Sequence, residues 1–267
     1  MTRLAGFLAA RLAALGCAIV LAGCGQRADP GAVAPLTEAE RAGYLPGPTV
    51  LAVVAAPDGA PLVRGRARPS GRVRATLPSG EAYGATADSK GRFELELATG
   101  GGPVMAMISA EDGGRSTPAE GWLFAPAGDF GRAVLLRAGS SSRAIASNAP
   151  LIAVVDFDAA GGAGISGRAA SAGEVRLFVD GVAAGSVQTD TQGRYSLRLA
   201  PPTSGPHRLR AVSAGQSQER TVGFTLPTAP SAGPFDAVRV GDAWRVDWTA
   251  PGGGLQSTYI FVGGAES

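Results

Sequence analysis

Residues 65–98, GRARPSGRVRATLPSGEAYGATADSKGRFELELA, align without a gap on residues 167–200, GRAASAGEVRLFVDGVAAGSVQTDTQGRYSLRLA; the offset is 102 residues and 13 of the 34 positions are identical. Self-similarity at a fixed spacing marks a duplicated structural unit. The hydrophobic stretch Leu51-Ala52-Val53-Val54 ahead of the first copy is echoed by Ile152-Ala153-Val154-Val155 ahead of the second. Each unit therefore covers about 75 to 90 residues, the size of a small β-sandwich.

Within each copy the apolar residues recur with period two, which describes a strand with one buried and one wet face. Phe93, Leu95 and Leu97 alternate with Arg92, Glu94 and Glu96, and Tyr195, Leu197 and Leu199 alternate with Arg194, Ser196 and Arg198. Val73, Ala75 and Leu77, with Val175, Leu177 and Val179, predict the preceding strand of each unit, and Val222, Phe224 and Leu226 a closing strand of the second. Asp88-Ser89-Lys90-Gly91 and Asp190-Thr191-Gln192-Gly193 separate the strands; Asp at the first turn position holds nearby amides, and Gly at the fourth accepts a left-handed backbone.

A strand, then D-x-x-G, then an aromatic followed by alternating leucines resembles the bacterial immunoglobulin-like and carboxypeptidase regulatory-like β-sandwich domains, and the resemblance covers about two thirds of the chain after its leader. It implies spacing, presentation and binding instead of chemistry. The inter-sheet disulfide and strand-C tryptophan of antibody domains have no counterpart, which excludes that branch. The expected fold is all-β, with two tandem immunoglobulin-like β-sandwiches at 49–138 and 151–227. A linker at 139–150, rich in Ser and Ala, argues for flexing between them. Residues 228–267 predict a small C-terminal antiparallel appendage, or strands added to the second sandwich, with a hairpin through Trp244–Trp248 and a last strand over Gln256–Val262.

The first 23 residues belong to no domain. Arg3 and Arg11 supply a positive start, Leu12 to Gly23 is uncharged and apolar, and no acid precedes Asp29, which is the composition of a signal peptide. The apolar run is too short to span a bilayer as a helix. Leu21-Ala22-Gly23-Cys24 resembles the lipobox of bacterial lipoproteins, which implies cleavage before Cys24, palmitate-type acylation of that residue and a membrane anchor held by two or three chains. Gly25, in place of Asp, implies sorting to the outer membrane, on its periplasmic or surface face. Residues 24–48, rich in Ala, Pro and Gly, are expected to form a flexible tether with a reach of about 25–30 Å. A capping box of Thr37 and Glu40 fits one short helix within it.

Formal net charge is +2, and both excess cations lie in the leader, so no global charge argument for nucleic acid survives. The inventory also excludes several enzyme classes. His207 is the single histidine, no serine is framed as G-x-S-x-G, and no phosphate-loop pattern occurs. One histidine and one acylated cysteine cannot assemble a zinc site, and no cofactor is expected. A paired-carboxylate glycosidase stays open, because carboxylates converge only in three dimensions.

Three constellations are candidates for binding. Trp244, Val246 and Trp248 share a strand face, as in modules that stack sugar rings, although large aromatics also cover the edges of sandwiches. Arg64, Arg66, Arg68, Arg72 and Arg74 crowd into eleven residues and suit phosphates or acidic sugars if they share a face. Asp156 and Asp158 could contribute to a calcium site at a domain junction, although no glycine-punctuated loop surrounds them. The expectation is a non-enzymatic envelope lipoprotein that serves as a spacer or scaffold for a protein partner, with binding of polysaccharide or another anionic polymer as the alternative.

Overall fold

The computed structural model describes residues 43–261. The first unit contains β1 (Thr49–Ala55), β2 (Pro61–Arg66), β3 (Arg72–Thr76), β4 (Ala82–Thr86), β5 (Arg92–Glu96), β6 (Val104–Asp112) and β7 (Arg115–Ala125). A single turn of 3-10 helix at Phe130–Arg132 precedes β8 (Val134–Leu136) and β9 (Arg143–Ala144). Hydrogen bonding orders one sheet as β1-β2-β5 and the facing sheet as β4-β3-β6-β7-β8-β9. Val63, Val73, Leu95, Ile108 and Leu123 fill the space between them, the buried half of each alternating pattern.

The second unit repeats the arrangement with β10 (Val154–Asp158), β11 (Ala163–Arg168), β12 (Glu174–Val179), β13 (Val182–Gln188), β14 (Arg194–Leu199), β15 (Gly205–Ser213) and β16 (Gln216–Phe224). Strands β14-β11-β10 correspond to β5-β2-β1, and β13-β12-β15-β16 to β4-β3-β6-β7. Three strands facing four, all pairings antiparallel, make both units immunoglobulin-like sandwiches. Strand β16 ends at Phe224, so Leu226, expected to close it, lies outside the strand and is exposed.

The duplicated turns are the same object twice. Asp88 Oδ1 accepts from the amides of Lys90 and Arg92 at 2.8 and 2.9 Å, and Asp190 Oδ1 accepts from those of Gln192 and Arg194 at 2.8 and 2.9 Å. Gly91 and Gly193 sit at φ +74° and +76°, and a Cβ on either would meet the carbonyl oxygen of Ala67 or Ala169 at 2.4 Å. Left-handed backbone and close approach together explain why glycine stands in both copies.

Of the two arrangements expected at the C-terminal end, an appendage or added strands, residues 228–261 adopt the second. Strands β17 (Phe235–Val240), β18 (Ala243–Thr249) and β19 (Leu255–Phe261) add to the edge of the second sandwich, because β19 pairs with β10 from Val154↔Ile260 to Asp158↔Gln256. The sheet becomes β14-β11-β10-β19-β18-β17. Segment 139–150 is not a bare linker: β9 pairs with β8, and Ser142 is fully buried. A segment held by ladder bonds and a buried side chain cannot swing freely, which corrects the expectation of flexing.

The two six-stranded sheets meet face to face. Met105, Phe124, Val134 and Leu136 turn away from the first core and pack on Ala153, Val154, Val246, Trp248 and Ile260 of the second unit. Phe124 and Phe235 add an edge-to-face pair with centroids 5.9 Å apart. Strand β8 is thus apolar on both sides, β10 is covered on both sides, and the units form a stack of four sheets.

Candidate functional site

A cluster of buried polar side chains lies at the seam between the sandwiches. Odd and even positions of β10 face opposite ways, so Val155 and Phe157 enter the second core while Val154 and Asp156 face outward. Asp156 is buried and accepts from the Ser142 amide at 2.5 Å, Ser142 Oγ at 2.8 Å, Thr258 Oγ1 at 2.7 Å and Gln256 Nε2 at 3.2 Å. Trp248 Nε1 donates to Thr258 Oγ1 at 3.2 Å, and Ser166 Oγ donates to the Ser142 carbonyl. Burial raises the Asp156 carboxyl above its ordinary range, and the four donors oppose that shift.

This satisfied carboxylate corrects the calcium reading of Asp156 and Asp158. Donors occupy the first, and Asp158 accepts from the amides of Ala160 and Gly162 at 2.9 and 2.8 Å as an ordinary turn acceptor. Among the described residues no group of three or more His, Cys, Asp or Glu is placed to hold a metal.

The tryptophan strand is likewise not a sugar platform. Trp244, Val246 and Trp248 do share a face of β18, but that face is the one the first sandwich covers, and Trp248 is 1% exposed. No ring can stack on an indole whose faces are already in van der Waals contact. Trp122, on the opposite side, packs into the same seam.

The five arginines divide instead of sharing a face. Arg64 and Arg66 lie on the outside of β2, with Arg64 bridged to Glu94 at 2.9 Å. Arg72 and Arg74 lie on β3 in the opposite sheet, where Arg74 approaches Glu111 at 3.7 Å. The chain crosses from one sheet to the other through Arg68, which pairs with Asp112 at 2.8 Å. Arg66, Arg68 and Arg72 nevertheless reach the same end of the sandwich, where Arg68 and Arg72 line an open groove of about 620 Å³ together with Leu45, Pro46 and Arg115. Arg115 was invisible to local sequence reasoning because it arrives from 43 residues downstream of Arg72.

His207 has the surroundings of a structural cation. Its Nδ1 lies 2.6 Å from Asp180 Oδ2, and its Nε2 lies 2.9 Å from the Thr203 carbonyl and 3.2 Å from Thr203 Oγ1. Carboxylate and carbonyl are acceptors only, so both ring nitrogens donate and the imidazolium form is favoured. The Asp180 hydrogen bond raises the His207 pKa above its ordinary value, with the Thr203 carbonyl acting in the same sense. An imidazolium already donating at both nitrogens has no lone pair with which to act as a base toward Thr203.

Cys24 and the signal segment lie outside the described residues; among those described, no helix is long and apolar enough to cross a membrane. No family model matches the chain, and no curated protein matches it. A solved structure, the central fibronectin-III array of RIM-binding protein, is similar over 77% of this chain and 72% of its own, at 15% identity and a TM-score of 0.25. The sandwich assignment stands on strand order and register.

Proposed function

We propose that this chain is a non-enzymatic cell-envelope lipoprotein, acylated at Cys24 and carried to the outer membrane, whose two sandwiches act as one rigid spacer that presents a surface to another envelope protein. The observation that supports a spacer is the apolar seam between the six-stranded sheets, tied at its margin by Asp156 and Ser142. Two flexibly linked domains would lose a fixed separation between anchor and partner; a seam packed like a core keeps it. The four-sheet stack supplies stiffness.

Crosslinking in living cells, followed by recovery of the tagged chain, tests this directly when both co-purified proteins and co-purified carbohydrate are scored. A discrete partner in fixed stoichiometry supports the scaffold. Carbohydrate recovered without such a partner overturns it. Mass spectrometry of the mature amino terminus reads the acylation of Cys24 separately.

A further inference from the structure

The pairing registers place one end of the first sandwich next to the tether. Thr49 opposes Arg66, Arg66 opposes Arg92, Arg72 opposes both Thr86 and Glu111, and Asp112 opposes Arg115. The chain that runs back toward Cys24 leaves β1 at this same end, alongside the groove that holds Leu45 and Pro46. Six exposed cations collect there, Arg66, Arg68, Arg72, Lys90, Arg92 and Arg115, against three acids, Asp88, Glu111 and Asp112. Lys90 is the single lysine of the chain. Arg68 pairs with Asp112 and Arg92 with Asp88, while Arg66, Arg72, Lys90 and Arg115 have no ion pair among the described residues.

The duplication supplies an internal comparison. Where the first copy has Arg68, Arg72 and Lys90, the second has Ala170, Glu174 and Gln192, and β16 begins with Gln216 where β7 begins with Arg115. Residues the turns require are kept in both copies, including Asp88/Asp190, Gly91/Gly193 and Arg92/Arg194. The corresponding end of the second sandwich carries two cations and two acids, so the fold does not need the extra charge. It is confined to the end at which the chain leaves β1 in the direction of Cys24.

We propose that this basic end of the first sandwich docks on the anionic phospholipid headgroups of the membrane in which Cys24 is anchored, setting the spacer upright on the bilayer. The inference rests on the lipoprotein reading. Guanidinium groups suit phosphate oxygens through paired donors, and a cation near an anionic surface contributes about a fivefold preference.

The test uses the full acylated chain carrying Ser116→Cys, an exposed position at this end, labelled with a fluorophore. It is placed in vesicles of phosphatidylcholine alone or of phosphatidylcholine and phosphatidylglycerol in equal parts, with spin-labelled lipid as quencher. Quenching is expected on anionic vesicles, much less on neutral ones, and loss at high salt, where the screening length falls to about 3 Å. Arg72→Gln, Lys90→Gln and Arg115→Gln together remove three of the cations without setting an acid opposite Glu111. This variant is expected to keep its melting temperature while the ratio of docked to undocked chain falls about a hundredfold. Equal quenching on both vesicles, or full quenching by the triple variant, overturns the proposal; so does retention on an acidic polysaccharide without any effect of anionic lipid. A mature chain that lacks acyl groups and stays in solution with neutral vesicles overturns the lipoprotein reading alone, and salt-sensitive sedimentation with anionic vesicles then still decides the docking surface.

Discussion

Replacing Trp248 by alanine separates the seam from every alternative reading of the tryptophan strand. The side chain is 1% exposed, its Nε1 donates to Thr258, and its ring fills the space between β18 and the outward face of the first sandwich. Truncating a buried tryptophan costs about 3–5 kcal/mol, because the lost transfer energy is joined by that of the cavity left behind. For a folded body of this size each kcal/mol lowers the melting temperature by about 2–4 °C, so Trp248→Ala should lower it by roughly 6–20 °C. The assay is unusually selective. All three tryptophans of the protein, Trp122, Trp244 and Trp248, pack in this one seam, so intrinsic fluorescence reports the junction while far-ultraviolet circular dichroism reports the strands. In the unaltered protein the two signals should change together on heating, as one cooperative unit requires. A melting temperature unmoved by Trp248→Ala, or a red shift of fluorescence well before strand signal is lost, would refute the rigid junction.

Asp156→Asn is nearly isosteric yet should cost about 1–3 kcal/mol in urea unfolding, since an amide nitrogen, unlike either carboxyl oxygen, has no lone pair for the surrounding donors. Gly91→Ala should destabilise more than Gly139→Ala: both positions are left-handed, costing about 1–2 kcal/mol, but only the first puts a Cβ against a carbonyl oxygen. Equal losses in the two variants would remove the close-approach argument. The His207 pKa is raised in the folded state, so its contribution to stability is fully present below the unfolded value of 6.5 and is lost as pH rises through the folded value. Melting temperature measured above pH 6.5 should therefore decline more in the parent than in His207→Gln, and parallel profiles would show that the imidazolium contributes nothing.

The sandwich architecture was legible because a strand with one wet face writes its geometry as alternation, and the duplicated D-x-x-G turns fixed where the strands reverse. The seam was not, although it left a trace. Trp122-Leu123-Phe124-Ala125 and Val134-Leu135-Leu136 are continuous apolar runs, the pattern of strands covered on both sides. Such a run says that a second cover exists without saying what supplies it. Trp244 and Trp248 pose the same difficulty in reverse, since an aromatic face looks alike whether a sugar or a neighbouring sheet lies on it. The arginine cluster failed for a topological reason: β2 and β3 are neighbours in sequence but belong to opposite sheets, so nearness along the chain placed Arg64 and Arg74 on opposite sides. The end they leave between them became visible only when Lys90 and Arg115 joined it from other strands.

The strands that fall outside the repeat explain why the chain holds more than two sandwiches. Strands β8 and β9 widen the sheet of the first unit that faces the seam, and β17, β18 and β19 widen the one that meets it. No added strand joins either outer sheet, which keep their three and four strands. At a strand spacing of about 4.8 Å, the second unit's contribution grows from about 14 to about 29 Å in width. Val246, Trp248 and Ile260 all stand on these added strands, so most of its apolar contribution to the seam comes from outside the duplicated fold. Ending the chain at Phe224 would leave the seven duplicated strands of the second unit, remove Ala243, Tyr259 and Phe261 from its core, and uncover Phe124, Val134 and Leu136 of the first unit. That truncation should yield a protein that keeps strand signal but binds apolar dyes and self-associates, because an exposed apolar patch of this kind seeks another cover. A truncated chain that stays monomeric and binds no dye would mean that the first sandwich covers this face by itself, and the added strands would then need another explanation.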